Sequence, residues 1–139
     1  MMNHFDEHLN IEKYPIDAVL IENQISTIAT RMKTLQGMIT QYFIMKGVEQ
    51  IEFISSSNKL KPFIDKKKTT YAERKKLGIS ITKRLVNEKS FLSVFQDLFN
   101  ASKKKDDLAD CFLQGIWFLK ENELIDDSNI FPSKIGDNK

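Results

Sequence analysis

The run Ile16-Asp17-Ala18-Val19-Leu20-Ile21-Glu22 decides the fold. It follows Tyr14-Pro15, a pair that ends any preceding helix, because proline removes a donor and clashes with the turn before it. A continuous β-branched apolar run of this length is expected to be a strand covered on both faces, and it stops on a carboxylate, Glu22. From about Thr27 to Lys46 the period changes. Ile28, Met32, Leu35, Ile39 and Tyr42 alternate spacings of four and three, the stripe of an amphipathic helix. Gly47 closes that helix, and Val48–Ile54 reads as a second strand. Strand, helix and strand over this span make a right-handed βαβ unit with parallel strands, so the fold class is α/β. Glu22 then lies at the carboxyl end of its strand, where open parallel sheets place their chemistry.

Before this unit, residues 3–12 are predicted to be a short helix with Asn3 as its cap and Phe5 and Leu9 as an apolar pair. His4 and His8 share another face and are expected to be exposed side chains, with no third ligand near them. After the unit come the loop Ser55–Asn58 and a lysine-rich stretch to Thr70 in which Pro62 argues against regular structure. Three helices follow. The first, about Thr70 to Asn87, turns Tyr71, Leu77 or Gly78, Ile81 and Leu85 inward and Arg74, Lys75, Lys76, Lys83 and Arg84 outward. Phe91, Leu92, Phe95, Leu98 and Phe99 mark a short second one, and the last runs to about Asn122. Residues 1–125 are thus expected to be one domain, and 126–139 a flexible tail.

The chain has 139 residues, 41% of them apolar, enough for about one core. With 21 basic and 19 acidic residues the net charge is only +2, so a nucleic-acid surface has to come from local clustering. The lone Cys111 excludes an internal disulfide and a cysteine zinc site, and buried apolar filler is its expected role. No run approaches a membrane span and the N-terminus is not signal-like, so a soluble, intracellular chain is expected.

Clustering is present in two places. Lys59, Lys61, Lys66, Lys67 and Lys68 precede Arg74-Lys75-Lys76, with only Asp65 and Glu73 against them. Such a footprint suits a phosphodiester backbone, with Tyr71 as a stacking or packing ring, although a solvated loop has the same composition. The second place is Lys103-Lys104-Lys105-Asp106-Asp107-Leu108-Ala109-Asp110-Cys111-Phe112-Leu113. Residues three apart on a helix sit roughly 60° apart, so Asp107 and Asp110 project side by side, with Gln114 continuing the line. Leu108, Phe112, Ile116 and Leu119 form the neighbouring apolar stripe. The bland alternatives are that Asp106 is an N-cap and Asp107 a first-turn acid. The lysines fit those alternatives poorly, since cations oppose the dipole at that end. Carboxylates drawn from separate elements beside a basic surface suit hard divalent cations, and two such ions about 3.5–4 Å apart stabilise in-line phosphodiester displacement.

Ile16–Gln24, then Tyr71-Ala72-Glu73-Arg74-Lys75-Lys76, then Lys104-Lys105-Asp106-Asp107-Leu108-Ala109-Asp110 resemble, in that order, the Holliday junction resolvases of poxviruses and other large DNA viruses, which are similar to RuvC and the mitochondrial junction resolvases. The resemblance covers roughly residues 5–122. It implies an RNase H-like fold and Mg²⁺-dependent cleavage of four-way DNA junctions by a homodimer, with Mn²⁺ as an alternative ion. Its metal-binding, catalytic positions are Glu22, Asp107 and Asp110, with Asp106 the alternate ligand. Lys66, Lys67, Lys68, Tyr71, Arg74, Lys75, Lys76, Lys104 and Lys105 match its DNA-binding surface. A nuclease of recombination and repair, working in the cytoplasm at a viral replication site or in the nucleus, is implied.

One departure stands out. The family's first metal-binding aspartate lies on an opening strand in an Asp-x-Gly motif, and no residue before Glu22 reads as that strand. Only two strands are found, whereas a stable open sheet usually has three or more. The chain therefore reads as the later part of a resolvase. The rival to an endonuclease is a junction-binding remnant without catalysis. A third reading is a helical interaction module whose charges only solubilise it.

Overall fold

A computed structural model describes residues 2–25, 30–65, 69–126 and 130. The residues group into two compact units, 1–55 and 56–139. In the first, α1 (Met2–His8) precedes β1 (Ala18–Glu22), α2 (Thr30–Met45) and β2 (Gln50–Ile54). β1 and β2 pair in parallel, Ala18 against Gln50 through Glu22 against Ile54. The expected βαβ unit is present, with both strands shorter at their starts than the apolar runs suggest. Every residue of β1 is half-buried rather than covered on both faces, because the sheet has two strands among the described residues.

The inner face of α2 is also rotated from the expected stripe. Gln36, Tyr42 and Phe43 are buried, Leu35 and Ile39 are half-buried, Met32 is exposed, and Ile28 lies outside the described residues. Tyr42 is drawn inward by α1. Phe5 meets the Tyr42 and Phe43 rings at 5.2 and 6.0 Å, while the Tyr42 hydroxyl donates to Asp6 at 2.8 Å and Lys46 pairs with Asp6 at 2.6 Å. Gly47 ends α2 with φ 78°, the left-handed conformation that costs a residue with a Cβ. The Gly47 amide donates to the Ile44 carbonyl and the Val48 amide to that of Phe43, the two bonds of a Schellman stop. Val48 and Phe43 then share one apolar cluster.

The second unit contains α3 (Tyr71–Glu88), a 3₁₀ segment (Ser90–Phe95), α4 (Gln96–Ala101) and α5 (Lys105–Glu121). Thr70 caps α3 reciprocally with Glu73, each side chain taking the other's backbone amide. α3 packs on α5 over a core of Leu60, Phe63, Ile81, Leu85, Leu113 and Ile116, and Ile130 joins it; the rest of the expected tail, 127–129 and 131–139, lies outside the described residues. The buried residues of α5 are Ala109, Leu113, Gln114, Ile116 and Phe118; they share only Ile116 with the expected Leu108, Phe112, Ile116 and Leu119 stripe, and they include Gln114, which the spacing put in line with Asp107 and Asp110. Gly78 of α3 faces this side of α5: a Cβ there would lie 3.7 Å from the Leu113 methyl and 3.9 Å from Asp110 Oδ1, both ordinary contact distances.

Three further expectations change. Tyr71 is exposed rather than inward, and Cys111 is exposed rather than filler. The aromatic run 91–99 splits between two elements, burying Leu92 and Phe99 and leaving Phe91, Phe95 and Leu98 exposed.

Candidate metal and nucleic-acid site

Lys104, not Asp106, is the N-cap of α5, and it makes no side-chain cap bond. Its amide donates instead to Ser102 Oγ at 3.1 Å, and Lys105 Nζ reaches the Ser102 carbonyl at 2.7 Å. The helix therefore starts one residue before the acids and places Asp106 and Asp107 in its first turn, where carboxylates complement the dipole.

The acids have different surroundings. Asp107 is exposed. Asp106 accepts from Lys75 of α3 at 2.6 Å. That hydrogen bond holds the Asp106 carboxyl below its usual range and raises the Lys75 ammonium, which also stands 5.1 Å from the Tyr71 ring. Asp110, on the side of α5 nearer Gly78, forms an ion pair with Lys59. Glu22 belongs to the other unit. It ends β1 as expected, and its carbonyl accepts from Gln24 Nε2 at 3.2 Å. The Gln24 amide donates to Gln36 Oε1 at 2.9 Å, so a buried glutamine of α2 fixes the turn after Glu22. Gln36 escaped sequence reasoning because a lone polar residue beside an apolar stripe reads as boundary.

Of the basic positions, Arg74, Lys76 and Lys104 are exposed, Lys75 and Lys105 are half-buried, and Lys66, Lys67 and Lys68 lie outside the described residues. Lys59 was legible only as one charge among many; its pairing with Asp110 across 51 positions has no local signal.

Within neither unit do three or more metal-type side chains of the described residues gather. Asp106, Asp107 and Asp110 offer only oxygen, the donor type that hard cations take, and in the structure lysine ammoniums sit on two of them, Asp106 and Asp110.

Among the described residues no helix is long and apolar enough to cross a membrane. The family described as Poxvirus A22 protein matches residues 4–122. The uncharacterized protein L451 of Acanthamoeba polyphaga mimivirus is 32% identical over 124 residues, covering 76% of this chain. The chain spans 29% of that relative's length. No solved structure matches it. The matched span takes in all three motifs quoted from the sequence, and the chain belongs to the poxvirus A22 protein family.

Proposed function

We propose that the chain is a structure-selective endonuclease of the Holliday junction resolvase type, built on an RNase H-like, RuvC-related scaffold and hydrolysing DNA phosphodiesters at four-way junctions. The observation that carries this reading is the family match through residues 4–122, a span that includes Glu22, Asp107, Asp110 and the basic positions named above. By the resemblance, Glu22, Asp107 and Asp110 are the groups that would hold Mg²⁺ or Mn²⁺, with Asp106 the alternate. Such a cation, when bound, supplies charge stabilisation of the in-line displacement and an activated water. The chain's own residues do the rest. Arg74, Lys76 and Lys104 are exposed cations able to neutralise phosphates, and Tyr71, 68% exposed, offers a face to a base or sugar. Lys66, Lys67 and Lys68, with Lys75 and Lys105, complete the basic set. Symmetric resolution of a junction needs two cuts, which favours a homodimer.

The test is cleavage of a synthetic four-way junction with Mg²⁺. Paired nicks in the wild type, lost in Asp107→Asn, support the assignment, and full activity in that variant refutes it. Salt-sensitive junction binding without nicking at any metal concentration would instead favour a binding remnant. The lysine partners of Asp106 and Asp110 are the observation on that side.

A further inference from the structure

Beside the acidic helix, within the second unit, lies a pocket of about 160 Å³ with a mixed polar and apolar lining. Its polar lining is Ser56, Ser57, Lys59, Lys61, Thr69 and Arg74, beside the apolar Leu60 and Ile64. Three cationic and three hydroxyl-bearing residues thus line one concavity, and among the described residues no carboxylate lines it. The turn that carries the lysines is well held: Lys61 donates its amide to the Asn58 carbonyl at 3.0 Å, and Phe63 and Ile64 donate theirs to that of Leu60. Leu60 and Phe63 are themselves core residues, 5% and 4% exposed. The lysine stems on either side of Leu60 therefore leave a docked backbone. Lys61 is exposed, whereas the Lys59 side chain is only 14% exposed because its ammonium pairs with Asp110. Lys59 belongs to both places at once.

We propose that this pocket seats one phosphate of the nucleic-acid backbone, and that Lys59, shared between the pocket and Asp110, makes phosphate binding and cation binding favour each other. With no divalent cation bound, Asp110 holds the Lys59 ammonium and cancels part of the pocket's charge. A cation on Asp110 releases that ammonium to the phosphate. By linkage, a phosphate that draws Lys59 away leaves Asp110 ready for the cation by the same factor. The device rests on the metal role given to Asp110 above. It adds Lys59, Lys61 and the hydroxyls of Ser56, Ser57 and Thr69 to the contacts with DNA.

The experiment is fluorescence anisotropy of a labelled four-way junction bound to the full chain, in EDTA and in Ca²⁺, across a salt series. Wild-type affinity should rise about five- to tenfold with Ca²⁺, the factor expected from freeing one partly buried lysine. Lys59→Met should abolish most of that rise, and Lys59→Arg, which keeps the charge, should retain it. Lys61→Ala should lower the salt slope by about one phosphate contact. An unchanged slope in Lys61→Ala, or an undiminished Ca²⁺ effect in Lys59→Met, overturns the proposal while leaving wild-type junction binding, and the resolvase reading, in place. If the wild type shows no salt-dependent affinity at all, both fall together.

Discussion

Lys75 Nζ stands 2.6 Å from Asp106 Oδ2, so a residue in the second turn of α3 is tied to the first turn of α5. The sequence reading assigned one of these residues to DNA and the other to the alternate metal position, and in the structure they neutralise each other. The pair sets a pH dependence. The Asp106 carboxyl is held below its ordinary 3.8, chiefly by the Lys75 hydrogen bond, so its stabilisation is present above that value and lost as pH falls through the lower, folded one. Lys75 is raised above its ordinary 10.5, so its share is present below that value and lost only as pH rises through the higher, folded one. Lys75→Met should lower the thermal midpoint at neutral pH, and the gap from wild type should close in the acid range. A gap unchanged down to pH ~2 would show that the pair contributes nothing.

Thr82 offers a substitution that should stabilise the fold. It is 2% exposed on α3, and its hydroxyl finds no partner among the described residues. A buried hydroxyl without a hydrogen bond loses its water and gains nothing in return. Thr82→Val keeps the β-branched shape and removes the orphan oxygen, and should raise the unfolding free energy by about 1 kcal/mol in urea titration. Thr82→Ser keeps the oxygen and loses the methyl, and should destabilise instead.

Alanine at two glycines should act with opposite signs. Nothing lies within 4 Å of a Cβ at Gly47, yet its φ of 78° is left-handed, so Gly47→Ala should cost about 1 kcal/mol through the backbone alone. Gly78 is mid-helix, and a Cβ there would make ordinary contacts at 3.7 and 3.9 Å. Gly78→Ala should therefore gain about 0.5–1 kcal/mol by helix propensity. Circular dichroism melts of the two variants check both signs at once.

These cases mark what the linear sequence can carry. The βαβ unit was legible because strand and helix have different periods, and because Gly47 signals a stop that a Cβ would strain. The pairing of β1 with β2 followed from the length of the crossover. The faces of α2 and α5 were less legible. Met32 matches the stripe of α2 as well as Tyr42 does, yet only Tyr42 is buried, against Phe5; on α5 the stripe held Leu108, which is exposed, and missed Leu113, which is buried. Of the site, the acids at the start of α5 could be read from their spacing. Their partners Lys59 and Lys75 could not, since a lysine among many carries no mark of which carboxylate it will meet.

Asp107 and Asp110 should separate in stability even where they agree in activity. Both are proposed metal ligands, so Asp107→Asn and Asp110→Asn should each abolish junction cutting. Asp107 is exposed, and its amide replacement should leave stability within about 0.5 kcal/mol of wild type. Asp110 faces Lys59, whose side chain is 14% exposed against its own 27%, so Asp110→Asn leaves a partly buried ammonium without its anion. The loss should be about 1–2 kcal/mol, above a surface pair and below a fully buried one. Lys59→Met in the Asp110→Asn background should recover part of it, because the stranded charge is then gone. Urea unfolding of the two single variants and the double measures all three terms. If Asp107→Asn proves the more destabilising of the two, the ion pair is not where the stability of this helix start resides.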